Sequence, residues 1–182
     1  FRNIEACLHA PATTPDQHKG HRVVLGIDWA QKHDFTVACA FCVTCHCEVE
    51  LDRFNKIEWS FQRQRVKTMY DRWKVQDGLV ELNSIGSPNF EALQPDCPNL
   101  RGFETTGASK SPLIQSLALA LERTEAQWLN DPVGKAELMA YESKISPQTG
   151  RVSYSAPEGQ HDDTVIARAL ALKATHDAAS FG

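Results

Sequence analysis

Asp28, Glu81 and the adjacent pair Asp162-Asp163 stand where ordinary packing does not place acids. Asp28 closes the apolar run Val-Val-Leu-Gly-Ile-Asp over 23–28, and Glu81 interrupts Gly-Leu-Val-Glu-Leu over 78–82. Asp162 and Asp163 open a long segment with apolar residues at helical spacing. An isolated buried carboxylate is costly to desolvate unless it is paired or meets a cation. Brought together from separate elements, these acids would offer hard oxygen ligands suited to Mg²⁺ or Mn²⁺, which keep open positions for phosphate and water. Two such ions about 4 Å apart can activate a water and hold the leaving oxygen of a phosphodiester. Spacing alone leaves plainer roles open: Asp162 as a helix N-cap, Asp28 as a turn residue, Glu81 as a surface group on an edge strand.

The elements that would position these acids follow from hydrophobic periodicity. The run over 23–28 reads as a strand buried on both faces, and 35–43 and 48–55 follow it as an antiparallel meander with a turn at 44–47. Val66, Met69, Tyr70 and Trp73 put a helix over 62–73. A strand at 78–82, a short helix at 88–93 and a strand at 100–105 come next. Ser109 or Ser111 would cap a helix over 112–123. A helix from Asp131-Pro132, a hairpin joining 141–145 to 152–155 through Pro-Gln-Thr-Gly, and a closing helix over 162–176 complete the chain. The predicted fold is a mixed α/β sheet with antiparallel first strands and helices on its faces.

Composition supports one folded domain. The 182 residues are 42% hydrophobic and 23% charged with only 9 prolines and 10 glycines, which excludes disorder, collagen and coiled coil. The net charge of -4 means that a nucleic-acid partner has to be held by a local basic patch. No window reaches the 18 or so apolar residues a membrane-spanning helix needs, so no membrane partner is expected. The chain opens with Phe-Arg-Asn-Ile-Glu, without an initiator Met or a leader, and so reads as a piece of something longer. Residues 1–22 read as an entering arm or linker, and 23–182 as the domain proper.

Three ordered segments carry a resemblance. Gly26-Ile27-Asp28-Trp29-Ala30 with Asp34-Phe35-Thr36, then Val80-Glu81-Leu82-Asn83-Ser84-Ile85-Gly86, then Tyr154 through His161-Asp162-Asp163-Thr164-Val165, resemble the nuclease domain of the large terminase subunit of tailed bacteriophages. The resemblance implies a ribonuclease H-like fold with a β-hairpin near the active site. It also implies a two-metal endonuclease that cuts concatemeric double-stranded viral DNA during packaging in the cytoplasm of the infected host. By the same resemblance, the arm would lead from an N-terminal ATPase domain, with a portal and a small terminase subunit as partners. No Gly-x-x-x-x-Gly-Lys-Ser/Thr phosphate loop occurs here, so no ATPase activity is expected of this chain. The middle acid is Glu81 where some members carry Asp, and which of Asp162 and Asp163 is the closer ligand is open. Two other classes compete: another ribonuclease H-like nuclease of the resolvase or transposase type, and a non-catalytic docking module for the packaging motor.

His161 is expected to orient a water or contact DNA from beside the acid pair. Lys110, at a helix start, and Lys144 and Arg151, flanking the hairpin turn, are the candidate phosphate contacts. With no groove-reading motif in the chain, cutting should show little sequence specificity. Cys39, Cys42, Cys45 and Cys47, with His46 between, resemble zinc ligands in spacing. They fall in one strand and turn, where Cys39 and Cys42 point to opposite faces, so zinc is not expected and reduced packing residues are.

Overall fold

The computed structural model describes residues 1–30, 34–83, 86–148, 150 and 152–179. Five strands form one mixed sheet: β1 (Val23–Asp28), β2 (Thr36–Cys42), β3 (Cys47–Phe54), β4 (Asp77–Glu81) and β5 (Leu100–Phe103). Their spatial order is β3-β2-β1-β4-β5. β1, β2 and β3 pair antiparallel, while β4 runs parallel to β1 and β5 parallel to β4. The central β1 is buried along its whole length, as its unbroken apolar run predicts.

Side-chain alternation divides the core into two layers. Val24, Val37, Cys39, Phe41 and Leu79 face α3 (Gly107–Glu122) and α5 (Asp163–Ala179). Leu25, Ile27, Ala38, Ala40 and Cys42 face α1 (Trp59–Trp73), whose Val66, Met69 and Trp73 supply the apolar stripe; α2 (Gly86–Leu93) adds Leu93 to this layer. Helices thus cover both faces. α4 (Pro132–Ala140) leads into the hairpin of β6 (Glu142–Ile145) and β7 (Val152–Ser155).

Close approach of α5 to the sheet is written into Gly26. A Cβ there would lie 2.1 Å from the Ala167 carbonyl oxygen and 2.3 Å from the Ala171 nitrogen. The small residues of the helix meet a strand without a side chain, so the start of α5 is held beside the end of β1. A second anchor is a fully buried ion pair, in which Arg168 of α5 grips Glu48 of β3 through two bonds of 3.1 and 2.9 Å. Glu48 also accepts from the Leu129 backbone N–H at 2.7 Å, so the buried carboxylate is well saturated.

Two boundaries differ from expectation. α3 starts at Gly107, a turn and a half before Pro112, because Thr106 and Ser109 form a reciprocal capping box: Ser109 N–H donates to Thr106 Oγ1 at 3.1 Å, and Thr106 N–H to Ser109 Oγ at 2.8 Å. Ser109 is the third residue of the helix and not its cap, and Pro112 falls inside. The stretch 1–22 also has structure of its own, with short 3-10 turns at Glu5–Cys7 and Pro15–His18. Ile4, Cys7 and Leu8 join the core, and Phe1 stacks on Tyr141 with ring centroids 5.4 Å apart.

Candidate active site

Asp28 ends β1 and Glu81 ends the parallel neighbour β4, so the pairing of Ile27 with Val80 delivers both carboxylates to the same edge of the sheet. Asp162 and Asp163 arrive at the N-terminus of α5, which Gly26 holds against β1. All four line one open cleft of about 310 Å³, together with Asp34, Asn83 and Lys110. The sequence-predicted acids therefore do converge from three elements.

Their electrostatics are those of a site short of positive charge. Asp28 is pushed well above the usual carboxylate range, first by burial, then by a hydrogen bond to Glu81 and by the charges of Glu81, Asp163 and Asp162. Asp163, with a side chain only 10% exposed, is pushed up to about 7 mainly by burial. The Phe35 backbone N–H donates to its Oδ2 at 3.2 Å and opposes that rise, while Glu137 and Asp34 reinforce it. Against five carboxylates, Lys110 is the one ammonium among the described residues of the cleft, 3.3 Å from Asp162 Oδ2. Asp163 acts on Asp28 more strongly than Asp162 does, whereas Asp162 is engaged by Lys110.

His161 sits at the rim, its Nδ1 3.1 Å from Asp34 Oδ1 and 3.8 Å from Asp163 Oδ2, its ring edge-on to Phe35. Lys144 lies on the exposed β6, 64% accessible and 3.6 Å from Glu142; it does not line the cleft. Arg151, like Ser84 and Ile85 of the middle motif, lies outside the described residues. The hairpin nonetheless borders the site, because Val152, Ser153 and Tyr154 share a groove of about 740 Å³ with Lys110 and the start of α3.

Periodicity did not reveal three residues of this site. Asp34 lies in the loop ahead of β2, where its place in the Asp-Phe-Thr segment was the available signal. Asn83 closes the loop after β4 by bonding Thr105 in both directions: its Nδ2 donates to the Thr105 carbonyl at 2.8 Å, and the Thr105 N–H donates to its Oδ1 at 3.2 Å. Glu137, buried beneath Asp163, accepts from the Thr164 N–H at 2.8 Å and faces Arg53 at 3.7 Å; nothing in the sequence of α4 marks it.

No protein-family profile matches the chain. The large terminase subunit of Thermus virus P23-45 is 26% identical over 157 residues, which are 86% of this chain and 32% of that protein. The magnesium-bound large terminase nuclease of phage G20c superposes with a TM-score of 0.81 at 22% identity, over 95% of both chains. The chain has the fold of a large terminase nuclease domain. The nuclease domain of the large terminase subunit of bacterial virus Sf6, in a form with manganese, shares that fold at only 9% identity, with a TM-score of 0.74 over 93% of this chain. Large terminase nucleases of phage G20c are also known with cobalt and with zinc. The resemblance read from the three motifs and the ribonuclease H-like mixed sheet are thereby borne out. The chain spans about a third of the length of the terminase subunits it matches.

Proposed function

We propose that this chain is a divalent-metal-dependent endonuclease that cuts concatemeric double-stranded DNA during phage genome packaging. The observation that carries the reading is the convergence of Asp28, Glu81, Asp162 and Asp163, from three elements, on one open cleft where Lys110 is the one ammonium among the described residues. A donor set of hard oxygens that raises its own proton affinity fits Mg²⁺ or Mn²⁺. Asp28, Glu81 and Asp163 would hold the ions, with Asp162 completing the set; when bound, two ions supply an activated water and charge stabilisation at the departing oxygen.

The chain's own groups prepare that site. The Phe35 N–H fixes the rotamer of Asp163, and Gly26 fixes the depth of α5, so the acids keep their places without a cation to draw them together. Lys110 stands between the acids and the hairpin groove, where it can neutralise a phosphate entering the cleft. Lys144, on the exposed β6, would meet the DNA beyond the cleft, and the same is expected of Arg151, which lies outside the described residues. All of these contacts address phosphates and none addresses bases, so cutting has little sequence specificity. By the same reading residues 1–22 connect to an ATPase domain, the chain itself hydrolyses no ATP, and portal and small terminase subunit are its partners in the host cytoplasm.

Incubation with supercoiled plasmid and Mn²⁺ or Mg²⁺ tests the proposal. The parent should nick and linearise the plasmid, and Asp28→Asn should cut slower by orders of magnitude while keeping its fold. Full cutting by Asp28→Asn, or cutting by the parent in excess chelator, refutes it. A docking module without catalysis would show neither cutting nor stabilisation by the cation.

A further inference from the structure

A second cluster of ligating side chains lies at the far end of β1 from the carboxylates. His18, at the end of the 3-10 turn Pro15–His18, and His21, just before β1, meet Cys42 at the end of β2 and Cys45 in the turn that follows. One ligand atom from each lies within 4.8 Å of all the others. His21 Nδ1 is 3.4 Å from His18 Nδ1, 3.7 Å from Cys42 Sγ and 3.3 Å from Cys45 Sγ, and Cys45 Sγ is 3.8 Å from His18 Nδ1. Zinc bonds of about 2.3 Å to sulfur and about 2.0 Å to nitrogen, at tetrahedral angles, set ligand atoms about 3.3 Å apart for N–N and about 3.5 Å apart for N–S. These four separations match those edges to within a few tenths of an ångström, and the remaining two, from Cys42 to Cys45 and to His18, stay within 4.8 Å.

We propose that His18, His21, Cys42 and Cys45 form a structural tetrahedral zinc site that staples residues 1–22 to the β2–β3 turn.

Local geometry supports each ligand. Gln17 Oε1 accepts from the Thr14 N–H at 2.8 Å and from the Thr13 hydroxyl at 3.0 Å, which leaves Thr13 Oγ1 as an acceptor for His18 Nε2 at 2.8 Å. His18 then carries its proton on Nε2 and turns a bare Nδ1 toward the cluster, the outer-sphere arrangement common to zinc-bound histidines. Gly20, at φ 82°, makes the tight turn that brings His21 back beside His18, closed by a 2.9 Å bond from the His21 N–H to the His18 carbonyl. The Cys45 N–H donates to Cys42 Sγ at 3.3 Å, which ties the two cysteines together across the turn. The two pairs are held in register independently of a metal: Val43 N–H donates to the Arg22 carbonyl at 2.8 Å, and Arg22 N–H to Thr44 Oγ1 at 3.1 Å.

Four protein ligands leave no position for a substrate, so the role is structural. Five strand residues separate the site from Asp28, about 17 Å at 3.3 Å per residue, so it takes no part in the carboxylate chemistry. Of the cysteines at zinc-like spacing, Cys39 donates to Glu48 in the opposite layer. Cys47, at the start of β3, is buried in the layer that faces α1 and is not among the four clustered ligand atoms.

Metal analysis of the 182-residue chain tests the site, and cobalt substitution separates it from the carboxylates. The parent and the Asp28→Asn, Asp162→Asn double variant should each carry about one zinc per chain. On exchange for Co²⁺ both should show a thiolate-to-cobalt charge-transfer band and the intense visible bands of tetrahedral cobalt. Cys45→Ser, at an exposed position that the fold tolerates, should lose the band and at least nine-tenths of the zinc. Cys47→Ala and Cys97→Ala should keep both, and Thr13→Ala should weaken zinc binding roughly tenfold in competition with a chelator. Zinc that is lost with the two aspartates and not with Cys45, the absence of the charge-transfer band, or a Cys42–Cys45 disulfide in protein purified under reducing conditions would each overturn the proposal.

Discussion

Replacing Asp163 by Asn turns the charge conflict in the cleft into a measurable stability. The folded chain holds the Asp163 proton up to about pH 7, whereas an unfolded aspartate releases it near 3.8. The native state therefore binds more protons between those values, and stability falls as pH rises through that window. Completed, the loss is about 4 kcal/mol, or roughly 8–16 °C in melting temperature for a domain of this size. Asparagine keeps an oxygen for the Phe35 N–H and has no charge to desolvate. In chelator, Asp163→Asn should match the parent only near pH 3, lead it by roughly 1.7 kcal/mol at pH 5 and by about 4 kcal/mol at pH 8, and relief of Asp28 adds to the gain. Mn²⁺ should act the other way: at 100 times its Kd a ligand stabilises by about 2.7 kcal/mol, so the parent should gain roughly 5–10 °C at pH 8 and the variant much less. The assay is a thermal melt across pH with and without cation. An advantage of the variant that does not grow between pH 5 and pH 8, or a parent that is the more stable at pH 8 in chelator, would refute the argument.

Gly26→Ala should leave little soluble protein, because the added methyl meets α5 backbone that no rotamer can move; yield and the circular-dichroism melt report it. Arg168→Met strands Glu48 in the core and should cost about 3–5 kcal/mol, read from the urea midpoint, with Arg168→Met plus Glu48→Leu less damaging than the single change. Lys144→Glu with Arg151→Glu should weaken DNA binding and flatten its salt dependence while leaving Mn²⁺ stabilisation intact; unchanged plasmid cutting at low salt would move the DNA path off the hairpin.

The strands and the identity of the acids are legible in the chain because local rules decide them. An apolar run of six residues ending in Asp28 can satisfy its side chains only as a central strand, and the period of α1 is visible in Val66, Met69 and Trp73. The start of α3 is not legible in this way, because Pro112 reads as a first helical residue whereas a side-chain exchange between Thr106 and Ser109 sets the boundary. Asp34, Asn83 and Glu137 carry no periodic signal, since a loop or a neighbouring helix delivers them only after the sheet has formed. The histidine and cysteine pairs show the division most plainly. Each is a visible two-residue-gap motif, yet Cys39 and Cys47 compete with His18 and His21 for the same reading. Strand parity excludes Cys39, but only the antiparallel pairing of Val23 with Cys42 brings His21 to that end of β2. Sequence supplies the ligand chemistry; long-range pairing, whose register depends on every contact across the sheet, decides which ligands meet.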